Sequence, residues 1–313
     1  MKKFVKKSGK DFVILNLSDP QLDKIDWYED AVGHKILRYT VDELIKRVHP
    51  DLITVTGDIS YGNQYESYRA FGDMLDAYGI PWAPVWGNHD NQEGPEPVKQ
   101  VAEEYLQRPL CVYENGDPAL GNGNYVIVIE DEASGKTVEG LIMMDSNWSG
   151  LFPKQFGWYE EQIAALNALG CYDATLMMHV PHYGYKQAWE AAHGGGNDPD
   201  SLKFADSFDP ARWKEGYRDS FGVKRENICS YEEDEGALDL FERLGTTKHI
   251  LVGHDHIDNF AVRYRGIWHI YALKTGIGCY YNADLNGGTV LKVGDEGIRE
   301  FYHEFVDIGS FLN

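Results

Sequence analysis

Apolar positions along this chain switch between two periods. Residues 12–17 (FVILNL) form a short apolar run and predict a buried strand. From Ala31 to His49 the residues Val32, Ile36, Leu37, Val41, Leu44, Ile45 and Val48 recur at helical spacing. Residues 51–56 (DLITVT) predict the next strand, Tyr65–Tyr78 a helix, Pro81–Val85 a strand ending at Gly87, and Pro97–Leu106 another helix. Strands follow at Tyr125–Ile129 and Leu141–Asp145, a helix at Phe156–Leu169 and a strand at Ala174–Met178. Strand and helix in alternation predict an α/β fold with a largely buried sheet.

The pattern then changes twice. Tyr183–Asp234 is rich in Gly, Asp and aromatics, with weak periodicity and a Gly194-Gly195-Gly196-Asn197-Asp198-Pro199 loop. It reads as a lid or insertion at about 183–234 within a single domain over 1–313, because no linker splits the chain. A helix at Glu235–Leu244 precedes strands at His249–Val252, Asn259–Tyr264, Ile267–Tyr271, Thr289–Val293 and Ile298–Phe305, with a turn at Asn286-Gly287-Gly288. These strands predict a second, more antiparallel sheet.

Composition narrows the class. With 43% hydrophobic and 13% aromatic residues, the 313-residue chain can fill a large core. A net charge of −21 disfavours coating of nucleic acid, and bound cations would be needed to receive an anionic substrate. The basic start Met1-Lys2-Lys3-Phe4-Val5-Lys6-Lys7 leads into no apolar run, and no run approaches a membrane span, so a cytoplasmic location without a membrane or an evident protein partner is expected. Cys111, Cys171, Cys229 and Cys279 form no CxxC pair and read as free thiols.

The chemistry lies where strands end. Asp19-Pro20-Gln21, Gly57-Asp58-Ile59-Ser60-Tyr61, Gly87-Asn88-His89-Asp90, His179-Val180-Pro181-His182 and Gly253-His254-Asp255-His256 each follow an apolar run. In open α/β sheets, ligands bind beyond the carboxyl ends of strands, so five loops would deliver these side chains to one place. Singly, each motif is ordinary: a Gly-Asp is usually a turn and a His-x-His a solvated pair. As an ordered set they point to metal. Asp, Asn and His without a thiolate suit Mn, Fe or Zn, and two ions need a bridging carboxylate, for which Asp58 is the candidate.

In this order the motifs resemble the calcineurin-like metallophosphoesterase superfamily, over about Asp11 to Gly278. Pro84–Glu93 (PVWGNHDNQE), Met143–Ser146 (MMDS), Gly253–Phe260 (GHDHIDNF) and Tyr271–Gly278 (YALKTGIG) look like its purple-acid-phosphatase-like branch. The resemblance implies a four-layer α/β/β/α sandwich of two mixed sheets. It implies two divalent or mixed-valence ions (Fe, Mn or Zn) and hydrolysis of a small phosphate monoester by a metal-bound hydroxide. Phosphodiesterase action on nucleotides or lipid headgroups is the alternative within the class, and a non-catalytic metal- or phosphate-binding protein the alternative outside it.

Carried over by residue, one ion would take Asp19, Asp58 and His256, and the other Asp58, Asn88, His179 and His254. His89 would contact phosphate or protonate the leaving group, with Asp90 orienting it. The pattern departs at Gln21, where His is usual. Gln21 and Tyr61 are both candidate ligands, Tyr61 because G-D-x-x-Y matches the iron-binding Tyr of purple acid phosphatases. His182 is a candidate second phosphate contact. Lys274 is read as a solvated lysine, with phosphate binding as its alternative. Tyr183, Tyr185 and Trp189 are candidates to stack on a leaving group.

Overall fold

The computed structural model describes residues 1–23, 31–62, 64–92 and 95–311. Glu93, at the end of the Pro84–Glu93 run, lies outside them. In chain order the elements are β1 (Lys2–Lys6), β2 (Phe12–Leu17), α1 (Val32–Val48), β3 (Leu52–Thr56), α2 (Tyr65–Asp76), β4 (Trp82–Val85), α3 (Pro95–Tyr105), β5 (Tyr125–Asp131) and β6 (Thr137–Met143). There follow α4 (Pro153–Ala168), β7 (Ala174–Met177), α5 (Gly184–Ala192), α6 (Ala237–Leu244), β8 (Thr247–Val252), β9 (Ala261–Tyr264), β10 (Ile267–Tyr271), β11 (Gly287–Gly294) and β12 (Gly297–Phe305). None of the helices described is long and apolar enough to cross a membrane.

Two mixed sheets form, one of seven strands ordered β1-β5-β6-β7-β8-β10-β9 and one of five ordered β12-β11-β2-β3-β4. Alternation along β5 shows how they stack. Tyr125, Ile127 and Ile129 face the core shared with the five-stranded sheet, while Val126 and Val128 face outward. Tyr159, Ile163 and Leu166 of α4, Tyr185 and Trp189 of α5, and Leu238 and Phe241 of α6 cover that outer face. Ile36, Leu37, Val41 and Leu44 of α1, with Tyr68 and Phe71 of α2, cover the smaller sheet. The result is the four-layer α/β/β/α sandwich.

The C-terminal strands do not build a sheet of their own, contrary to the sequence expectation. Strands β8 to β10 extend the larger sheet, and the β11–β12 hairpin completes the smaller one by pairing antiparallel with β2. Period-two patterning identifies a strand but carries no information about its partner. Two elements were also not anticipated. The basic run at the start is an edge strand, β1, parallel to β5, whose Lys6 is buried between Asp131 at 3.0 Å and Asp295 at 2.6 Å. The aromatic segment after residue 183 opens with α5, and it packs Tyr185, Trp189 and Trp213 into the outer core.

Parallel pairing of β2, β3 and β4, and separately of β7 and β8, aligns their carboxyl ends. Residues 18–21, 57–61, 86–91, 178–182 and 253–256 leave the strands there.

Candidate metal centre

The loops are fastened to one another before any side chain is considered. Asp19 N–H donates to Gly57 O (3.2 Å), Gln21 N–H to Asp58 O (2.9 Å) and Gly253 N–H to His179 O (3.2 Å). Gly87 lies so close to the next loop that a Cβ there would sit 2.1 Å from Asp58 Oδ1. Asp19, Gln21, Asp58 and His254 have φ of 50, 43, 52 and 80°, four of the eight non-glycine residues with positive φ among those described. Non-glycine residues enter this region at a cost, and such strain concentrates at functional sites.

Asp19, Asp58 and His179 bring ligand atoms within 4.8 Å of one another, all buried. The orientation of each imidazole identifies what is needed between them. His179 Nδ1 lies 2.7 Å from the Thr56 carbonyl, which can only accept, so Nδ1 carries the proton. Its Nε2, the nitrogen left to face a metal, points at Asn88 Oδ1 (3.0 Å) and Asp58 Oδ1 (3.3 Å). His256 repeats the arrangement, with Nδ1 2.9 Å from Tyr280 O and Nε2 3.4 Å from Asp19 Oδ1, an oxygen with no hydrogen-bond partner. Acceptors facing acceptors in a buried site call for cations. Burial favours the neutral ring, but Asp58 and Asp19 outweigh it and push His179 up to about 10, so without a metal a second proton on Nε2 supplies the positive charge these oxygens demand. His254 stands perpendicular to His179 with ring centroids 5.2 Å apart. Its backbone N–H donates to Asp19 Oδ2 (3.2 Å), and burial, then His179, pushes its ring down to about 3.

His89 lies at the rim. Its N–H donates to Asp58 Oδ1 (2.9 Å), its Nε2 is 4.0 Å from Asp58 Oδ2, and its Nδ1 meets Gln92 Oε1 at 3.1 Å. Asp90 therefore does not orient His89 as expected. Its Oδ1 accepts from Ile59 N–H, Ser60 N–H and Tyr68 O–H, and its Oδ2 from Gly87 N–H at 2.7 Å, which ties two ligand loops together.

Other placements also differ from expectation. His182 is buried against Tyr185, Phe241 and His269, its Nδ1 accepting from Gly184 N–H, so it belongs to the outer core rather than the cleft. Tyr185 and Trp189 are buried there too, unavailable for stacking on substrate; Tyr183 is half-buried under Lys186. Tyr61 is exposed, its ring on His89 (4.7 Å) and its hydroxyl on the Cys279 thiol; no contact described joins it to Asp58. Gln21 presents its nitrogen to Asp58 Oδ2 (2.9 Å), not its oxygen. Lys274 is not solvated: it is 2% exposed, and its Nζ donates to Gln21 Oε1. Its place in the YALKTGIG run, directly after a strand, was the available signal. Asp145 was quoted only within MMDS; it accepts from Asn91 Nδ2, Asn122 N–H and Asn147 N–H, and so holds the loop that carries Asn88.

The sequence model of one family, described as calcineurin-like phosphoesterase, matches residues 12–258. The chain belongs to this family. A relative from Arabidopsis thaliana, named probable inactive purple acid phosphatase 28, is 24% identical over 260 residues, 76% of this chain and 61% of its own length. The glycerophosphodiester phosphodiesterase GpdQ of Enterobacter lignolyticus is 31% identical over 140 residues, 43% of each chain. The chain spans about three fifths of the length of the plant relatives it matches. Among solved structures, a dimetal phosphatase from Danio rerio superimposes with a TM-score of 0.56 at 13% identity, covering 94% of this chain and 98% of the other, a likeness of fold.

Proposed function

We propose that this calcineurin-like phosphoesterase hydrolyses a small phosphate monoester with two metal ions, Fe, Mn or Zn, held by Asp19, Asp58, Asn88, His179, His254 and His256. The observation that carries this reading is the pair of imidazole nitrogens aimed at buried oxygen ligands, His179 Nε2 at Asp58 and Asn88, and His256 Nε2 at Asp19. Bound there, metal ions supply Lewis acidity to phosphate oxygens and acidify water. The chain supplies the rest. Asp58 fixes the backbone of His89, and Gln92 Oε1 holds the Nδ1 edge of the ring. That leaves Nε2 at the rim to carry a proton to the leaving oxygen, a contribution of roughly 10²–10⁴-fold.

The relatives similar over most of the chain carry a phosphatase name, which favours monoesters. Those named for diesters are similar over less than half of it. The word inactive in the plant names supports a second reading, metal and phosphate binding without turnover. Hydrolysis of p-nitrophenyl phosphate beside bis-p-nitrophenyl phosphate, with Mn²⁺ or with iron plus zinc, decides between them. Turnover lost in both Asn88→Ala and His89→Ala is expected, with the monoester faster. Full metal occupancy without turnover of either compound would leave only the binding role.

A further inference from the structure

Gln21 stands where the family pattern has His, and two charged neighbours determine which way its amide points. Lys274 Nζ, which can only donate, lies 2.7 Å from Gln21 Oε1 and 3.1 Å from the Asp19 carbonyl. The Asp58 carboxylate, which can only accept, lies 2.9 Å from Gln21 Nε2. Turning the amide over to offer its oxygen to a metal would set its NH₂ against the ammonium and give up two buried, charge-assisted hydrogen bonds.

The lysine cannot withdraw. Thr275 N–H donates to Ser18 O (2.8 Å), and Ser18 N–H donates to Thr275 Oγ1 (3.0 Å). A Cβ at Gly276 would lie 1.9 Å from Pro20 O, so the segment after Lys274 is pressed directly onto the Asp19 loop. The ammonium is thus held inside the ligand cluster, against the Asp19 carbonyl and the Gln21 amide that meets Asp58.

Resting on the two-metal reading above, we propose that Lys274 is a positioning residue that turns Gln21 away from metal, so that the two metal positions differ in affinity. The position at Asp58, Asn88, His179 and His254 has four protein ligands. The position at Asp19, Asp58 and His256 has three, and a resident cation beside it. The first fills tightly. The second fills only at higher metal concentration, because both the missing ligand and the charge repulsion act on it alone.

The test is equilibrium binding of Mn²⁺ to the metal-stripped chain by calorimetry, with electron paramagnetic resonance separating isolated from exchange-coupled ions. Wild type is expected to show the six-line signal of an isolated ion up to one equivalent, with coupling only in excess Mn²⁺. Lys274→Met is expected to tighten the second Kd by roughly 10–100-fold and leave the first nearly unchanged. Gln21→His, which restores an imidazole while keeping the lysine, should also tighten the second, and it carries the test alone if Lys274→Met does not fold. Two equal affinities in wild type, or a second Kd unmoved in both variants, would overturn the assignment. Wild type that binds no Mn²⁺ at all would overturn the two-metal reading itself, and this inference with it.

Discussion

Asp90→Asn tests whether the acid after the site histidine serves catalysis or architecture. The carboxylate holds Ile59 N–H, Ser60 N–H and Tyr68 O–H on Oδ1 and Gly87 N–H on Oδ2. An asparagine oxygen would stay at Oδ1, where three donors converge. Its NH₂ would then confront Gly87 N–H. One hydrogen bond to a charged acceptor is lost and one buried donor is left without a partner, a cost of about 3–5 kcal/mol. Thermal unfolding of the metal-free chain should drop by on the order of 5–10 °C. Affinity for the first metal ion should fall too, since the loops carrying Asp58 and Asn88 lose their tie. If melting is unchanged and only kcat falls, Asp90 acts through His89 and the stapling argument is wrong.

Three further outcomes follow from the geometry. His89→Ala should retain metal binding by calorimetry and lose about 10²–10⁴-fold in kcat, least for substrates whose leaving group needs no proton. His182→Ala should cost about 2–4 kcal/mol in chemical unfolding while leaving KM unchanged, because it lies in the outer core. Burial pushes the Asp173 carboxyl up to about 6 beside Glu139, which is itself raised by burial, so from roughly pH 4 to 6 the folded chain keeps a proton that the unfolded chain releases. Stability should therefore fall across that window as pH rises, by on the order of 2–3 kcal/mol, against an opposite trend from His249, which burial lowers to about 4. Urea midpoints at pH 4.5 and 6.5 should show this decline to be smaller in Asp173→Asn.

The loops that carry the candidate metal ligands were legible because each follows a strand, and strand ends in parallel sheets converge. The layer order was legible through the family resemblance. What stayed hidden is non-local. Nothing in the pattern of β11 says that it pairs with β2, and nothing in Lys2–Lys6 shows that Lys6 finds Asp131 and Asp295. The helix α5 did leave a trace, since Tyr185, Ala188, Trp189 and Ala192 have helical spacing, but the glycine-rich surroundings masked it. Asp90 was assigned by adjacency to His89 and His182 by its closeness to His179, yet neighbours on a turn point in different directions. Lys274 was misjudged by residue type, because lysines are seldom buried unless paired.

The clasp between Ser18 and Thr275 joins residues 257 positions apart. At translation rates of 5–20 residues per second, the Asp19 loop waits roughly 10–50 s on the ribosome before its partner is made. Until then β2 has an open edge where β11 will dock, a template for wrong strand pairing. The candidate metal ligands are likewise brought into register only after most of the chain has emerged. Maturation of this site is therefore a late event in the life of each molecule, and chaperone demand during synthesis should fall on the half-built smaller sheet.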